Sequence, residues 1–82
     1  MTMLEFQSLP QEEQITILYQ QGVYIGKKKA AGLTKLLFQF ESFYVEITYT
    51  FYRQAIYKMR YSDSTAILEP YLEQIDVEYL VT

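Results

Sequence analysis

Residues 43–51, which read FYVEITYTF, decide the fold class of this chain. Every odd-numbered position is apolar or aromatic, and the even-numbered positions are Tyr44, Glu46, Thr48 and Thr50. A period of two is typical of a β-strand with one buried face. The stretch therefore predicts a strand whose odd-numbered side chains lie in the core.

The segment before this strand is predicted to pair with it through a two-residue turn at Glu41 and Ser42. The cross-strand partners would be Phe40 with Phe43, Phe38 with Val45, Leu36 with Ile47, and Thr34 with Tyr49. All apolar partners then share one face, and a slip of one residue would destroy that match. The turn lacks the Asn-Gly or Gly-X pairs that two-residue hairpins prefer, so a longer loop is the alternative.

Further strands are predicted on either side of this hairpin. A helix over residues 9–21, with Ser8 and Gln11 as a capping box and Gly22 at its end, precedes a strand at residues 23–28 and a loop at residues 29–32. A fourth strand covers residues 55–61, with a bulge near Ile56 and with inward side chains from Tyr57, Met59 and Tyr61.

A C-terminal helix is predicted after the cap signal at residues 62–64. Pro70 lies inside its apolar stripe, where proline removes a hydrogen bond and kinks or breaks a helix. Two outcomes are open: a short first turn with Pro70 near the start of the main segment, or one kinked helix. Residues 77–81 alternate weakly and could form an edge strand or a frayed end.

The resulting order is helix, four-stranded antiparallel meander, helix, which is a single α+β domain over residues 1–82. Both helices are expected on one face of the sheet. Because two helices of about a dozen residues cover only one face, the other should stay open. The candidate interface or ligand residues on that open face are Tyr24, Leu37, Tyr44, Tyr52, Lys58 and Arg60.

Composition excludes several kinds of site. The 82 residues include no Cys and no His, which removes disulfides, the usual zinc, haem and iron–sulfur ligands, and the Ser-His and Cys-His catalytic pairs. No calcium-loop or Walker A pattern occurs. We expect no catalytic residue, metal or cofactor. With no leader pattern and no apolar run approaching about 20 residues, we expect a cytoplasmic protein without a membrane partner.

Charge is segregated along the chain. All seven Lys and Arg residues fall within residues 22–61, which hold only two of the ten acids. In one interpretation, an outward sheet face stacks bases and tracks a phosphate backbone, through Tyr24, Tyr44, Lys28, Lys58 and Arg60. In the other, acidic helices compensate a basic sheet within the fold. The net charge of −3 argues against nucleic acid, because that class of protein usually shows a basic footprint.

Glu46 is the one acid within a strongly apolar segment. A buried and partnered Glu46 would mark a special site, whereas the ordinary expectation is a solvated side chain opposite Lys58 or Arg60. The main functional prediction is a homodimer, or binding of another protein, through the open Tyr-rich face. Single-stranded nucleic-acid binding is the alternative, and an enzyme comes third.

Residues 43–49 (FYVEITY) and 68–76 (LEPYLEQID) resemble a pattern in a group of small uncharacterised bacterial proteins. That pattern is an F-Y-V-E-V-x-Y strand followed by an L-E-P-Y-L-x-Q-I-D terminus, and residues 9–13 (LPQEE) are compatible with it. The resemblance covers most of the chain, departs from it at residues 50–54, and implies no function. The element order is also loosely similar to single-strand-binding domains of the Pur and Whirly kind, on architecture alone.

Overall fold

The computed structural model describes residues 1–50 and 55–72, apart from the side chains of Ala30 and Tyr57. Two helices come first, then four strands, then a 3₁₀ turn that leads into a short helix. Their bounds are α1 Met3–Gln7, α2 Gln11–Gln21, β1 Val23–Ala30, β2 Leu33–Phe40, β3 Phe43–Thr50, β4 Ala55–Ser62, the 3₁₀ turn Thr65–Leu68 and α3 Glu69–Leu72. The strands form one antiparallel sheet in the order β1-β2-β3-β4. The α+β class and the meander are confirmed.

The central hairpin has the predicted register. Phe40 pairs with Phe43, Phe38 with Val45, Leu36 with Ile47, and Thr34 with Tyr49. The turn consists of Glu41 and Ser42 alone, and Glu41 has a φ of 57°. That is the left-handed region in which two-residue hairpins usually place glycine or asparagine. Side-chain packing across the strands, more than turn chemistry, therefore sets this register.

Strand β1 differs from the prediction in length and in which face each side chain occupies. It continues to Ala30, so the predicted loop at residues 29–32 shrinks to a turn at Ala31 and Gly32. A shift in register between Tyr24 and Gly26 adds one residue to the strand. As a result Tyr24 packs against Phe38 on one face, while Ile25 packs beside Leu37 on the other.

A second irregularity lies in β4, where the bulge was predicted. Thr48 pairs with Lys58 and Tyr49 with Ile56, so Tyr57 is skipped. Ile56 therefore takes the inward place that was predicted for Tyr57, and the predicted inward residues Met59 and Tyr61 do pack against the core.

Helical segments cover both faces of the sheet, which corrects the expectation that both helices share one face. Helices α1 and α2 supply Phe6 and Leu18 to a core built on the odd-numbered residues of β3. The 3₁₀ turn and α3 supply Ile67 and Tyr71 to a smaller core around Leu37 on the other face. The reason is that the second face also carries apolar side chains, which require cover.

The N-terminal region contains a helix that the sequence patterns did not predict. Thr2 and Glu5, rather than Ser8 and Gln11, form a capping box, and they start α1. Ser8 ends α1, so the predicted helix over residues 9–21 begins two residues later, at Gln11.

Gln14 fixes the linker between α1 and α2 to the sheet. Its buried amide nitrogen donates to the carbonyl oxygen of Leu9 at 2.9 Å, and its amide oxygen accepts from the Tyr61 hydroxyl at 2.6 Å.

At the C-terminal side, Ser64 caps the 3₁₀ turn and Pro70 is the second residue of α3. As far as Leu72, this matches a short first turn followed by a segment with Pro70 near its start. The predictions for Tyr52 and for residues 77–81 fall outside the described residues. Over the part of the chain that is described, no helix is long and apolar enough to cross a membrane.

Candidate functional site

The residues predicted to share one open face are distributed over both faces. Tyr24 lies on the α2 side, against Phe38. Leu37 is fully buried under the C-terminal segment, and Tyr44 is half-buried beside the same small core. Lys58 is exposed, and the Arg60 side chain is half-exposed. The other four described members thus share one face, whereas Tyr24 lies on the opposite one because of the register shift in β1. The prediction that the shared face is open is wrong, because the 3₁₀ turn and α3 occupy its centre.

Glu46 is buried and partnered, contrary to the expectation of a solvated side chain. It is 4% exposed, and Tyr71 donates its hydroxyl to Oε2 at 2.8 Å. Arg60, its neighbour across the β3–β4 pair, holds its guanidinium 3.5 Å from Oε1. No hydrogen bond to Oε1 comes from the described residues, so that contact is ionic. We call these three side chains the Glu46 network.

Gly26 leaves space for the ring of Tyr71 against β1. A Cβ atom at Gly26 would lie 3.3 Å from Cδ1 of the Tyr71 ring, so the missing side chain lets the ring lie close to β1. Burial raises the pKa of Tyr71 well above its usual value, and the hydrogen bond to Glu46 and the charge of Glu46 raise it further. Tyr71 is therefore a neutral donor that ties the C-terminal segment to the sheet.

One row of side chains crosses all four strands on the face that carries α3. Lys28 pairs with Lys35, Lys35 with Thr48, and Thr48 with Lys58. Directly opposed residues in antiparallel strands point to the same side, so the three ammonium groups share this face. The row lies next to the row of Gly26, Leu37, Glu46 and Arg60 that Tyr71 covers. We call Lys28, Lys35 and Lys58 the lysine row.

An aromatic groove lies on the opposite face, where α2 ends and β1 begins. It encloses about 390 Å³ and is lined by Leu18, Tyr19, Gly22, Tyr24 and Phe38. The rings of Tyr19 and Tyr24 both stand edge-on to the buried Phe38 ring, with centroids 5.4 Å and 5.6 Å away. Tyr19 is 48% exposed and Tyr24 is 54% exposed. We call this feature the aromatic groove.

Sequence reasoning did not single out Tyr19 or Tyr71. The helical period places both in the apolar stripes of helices. That pattern does not distinguish a tyrosine with an exposed ring from one with a buried hydroxyl. Pairing of Tyr71 with Glu46 depends on a contact between residues 25 positions apart, which no local pattern reports.

Among the described residues no cluster of three acidic side chains could hold a metal ion. No protein-family model, curated protein or solved structure matches this chain.

Proposed function

We propose that this chain is a protein-interaction domain that acts by surface contact and self-associates through the aromatic groove. The exposure of Tyr19 and Tyr24, whose rings both pack against Phe38, is the observation that carries the proposal. Tyrosine combines a large apolar ring with a polar hydroxyl, and it is enriched in the contact surfaces of proteins. Two half-exposed rings beside a groove are therefore a better interface candidate than the covered face around Leu37.

The second copy of the chain is the partner that fits the shape of this surface. In a two-fold contact, each subunit presents the same patch, so the patch must be complementary to itself. The aromatic groove meets that condition because it carries both a depression and protruding rings beside it. Tyr24 of one copy can enter the groove of the other, beside the bare backbone of Gly22.

The groove is also rigid enough for specific docking. Phe38 at its base is 3% exposed and belongs to the main core, and Leu18 is fully buried. The Tyr19 hydroxyl lies 3.4 Å from the Tyr49 hydroxyl, within hydrogen-bond reach. The base of the groove and Tyr19 therefore lose little side-chain freedom on docking, which lowers the entropic cost of association.

Sedimentation velocity over a concentration series tests self-association. We expect a dimer at high micromolar concentration for the wild type and a monomer for Tyr24→Asp, because a buried unpaired carboxylate is costly. Leu4→Asp is the matched control, since Leu4 is 77% exposed on α1 and away from the groove. It should remain dimeric.

Circular dichroism would confirm that each variant is folded, and Tyr19→Asp provides a second disruption if Tyr24→Asp unfolds the chain. A wild type that stays monomeric at high micromolar concentration would overturn the proposal, as would a Leu4→Asp variant that dissociates as fully as Tyr24→Asp.

A further inference from the structure

The lysine row places like charges where they oppose one another. Lys28 and Lys35 are direct cross-strand partners, and Lys58 lies on the same face beyond Thr48. Like charges directly opposite each other destabilise a sheet. An anionic ligand bound along the row would offset this repulsion.

Among residues 1–50 and 55–72, no neighbour on this face neutralises the row. The ion pairs formed between described residues are Met1 with Glu41 and Arg60 with Glu46. Glu46, the one acid in the adjacent row, is already engaged by Arg60 and Tyr71. The other two members of that adjacent row, Gly26 and Leu37, are uncharged, as is the buried Thr48 between Lys35 and Lys58.

The geometry of the row matches a linear anion. Four strands spaced about 4.8 Å apart place Lys28 and Lys58 about 14 Å apart across the sheet. A flat antiparallel sheet with a line of cations is a surface along which the backbone of a single strand can run. Three charges in one line fit one phosphate backbone better than the two backbones of a duplex.

We propose that the lysine row binds the phosphodiester backbone of single-stranded nucleic acid. The binding is electrostatic and largely independent of sequence, since Tyr24 lies on the opposite face and Tyr44 is half-buried against the small core. Contact with three phosphates sets the salt dependence. Each neutralised phosphate of a single strand contributes about −0.7 to the slope of log K against log salt, so the slope should be about −2.

This site is independent of self-association, because the aromatic groove lies on the other face of the sheet. Fluorescence anisotropy with a labelled oligothymidylate of about 15 nucleotides, at increasing salt, is the direct test. Binding should weaken about tenfold for each threefold rise in salt. Lys35→Gln should reduce the magnitude of the slope by about 0.7.

Lys27→Gln is the matched control, because Lys27 is the adjacent lysine in β1 and pairs with Leu36 on the other face. It should leave the slope unchanged, and sedimentation should show the same oligomeric state for both variants. Three outcomes would overturn the proposal: no salt-sensitive binding at low ionic strength, equal losses for the two variants, or equal displacement of the oligonucleotide by polyglutamate. The last outcome would assign the row to an acidic polypeptide instead.

Discussion

Glu46 shows how a single residue constrains the second face of the sheet. A carboxylate in the interior is costly unless a charge and hydrogen-bond donors surround it. Here Arg60 supplies the charge from the neighbouring strand and Tyr71 supplies the donor from α3. Since Arg60 reaches Glu46 from within the sheet, the hydroxyl of Tyr71 is the contact that ties the C-terminal segment to this carboxylate.

Replacing Tyr71 by phenylalanine tests that role. Tyr71→Phe keeps the ring over Gly26 but leaves Oε2 of Glu46 without its donor. Because hydrogen bonds to charged groups are among the stronger ones, the free energy of unfolding in urea should fall by about 2 kcal/mol. Tyr24→Phe removes the same hydroxyl from an exposed ring and should change it by less than about 0.5 kcal/mol. Equal effects of the two substitutions would show that the Tyr71–Glu46 bond adds nothing.

At the scale of elements, the two described hairpin turns carry strained backbone. Ala31 and Gly32 have φ values of 51° and 80°, and Glu41 has a φ of 57°. Positive φ at both central residues is the type I′ pattern, for which Asn-Gly is the preferred pair. Ala31 is thus the poorly suited member of the β1–β2 turn.

Ala31→Asn should therefore stabilise the protein. Asparagine tolerates the left-handed region better than alanine, so the free energy of unfolding should rise by up to about 1 kcal/mol. Gly32→Ala is the control in the opposite direction, with an expected fall of about 1 kcal/mol in the free energy of unfolding. Because nothing lies within 4 Å of a Cβ atom at Gly32, that fall reports backbone strain alone. Thermal or urea unfolding of the two variants measures both effects. A fall in stability for Ala31→Asn would contradict this account of the turn.

The elements that could be predicted from sequence are those with a strong local period. The alternation in β3 and the register of β2 with β3 followed from which residues are apolar, and the bulge near Ile56 followed from a break in that alternation. The bulge in β1 could not be predicted, because residues 23–25 are all apolar or aromatic and either parity looks acceptable. The burial of Glu46 could not be predicted either. It depends on α3 crossing the second face of the sheet, and the β3 residues on that face are mostly polar.

For the whole molecule, the two cores differ in size, and we expect them to differ in stability. Among the described residues, nine are buried in the core under α1 and α2, whereas three are buried in the core under α3. Segments that bury less apolar surface open more readily than the rest of a domain. The 3₁₀ turn and α3, which cover the second face of the sheet, should therefore be the first part of the protein to open.

Native-state hydrogen exchange tests this order of opening. The backbone amide of Ile67, which bonds to the carbonyl oxygen of Ser64, should exchange through a smaller free energy than the amides in the β2–β3 ladder. Tyr71→Phe should lower the value for Ile67 further, because it removes the hydroxyl that ties α3 to Glu46. If Ile67 exchanged only with global unfolding, the two cores would form one cooperative unit. The second face, including the lysine row beside α3, would then be as fixed as the first.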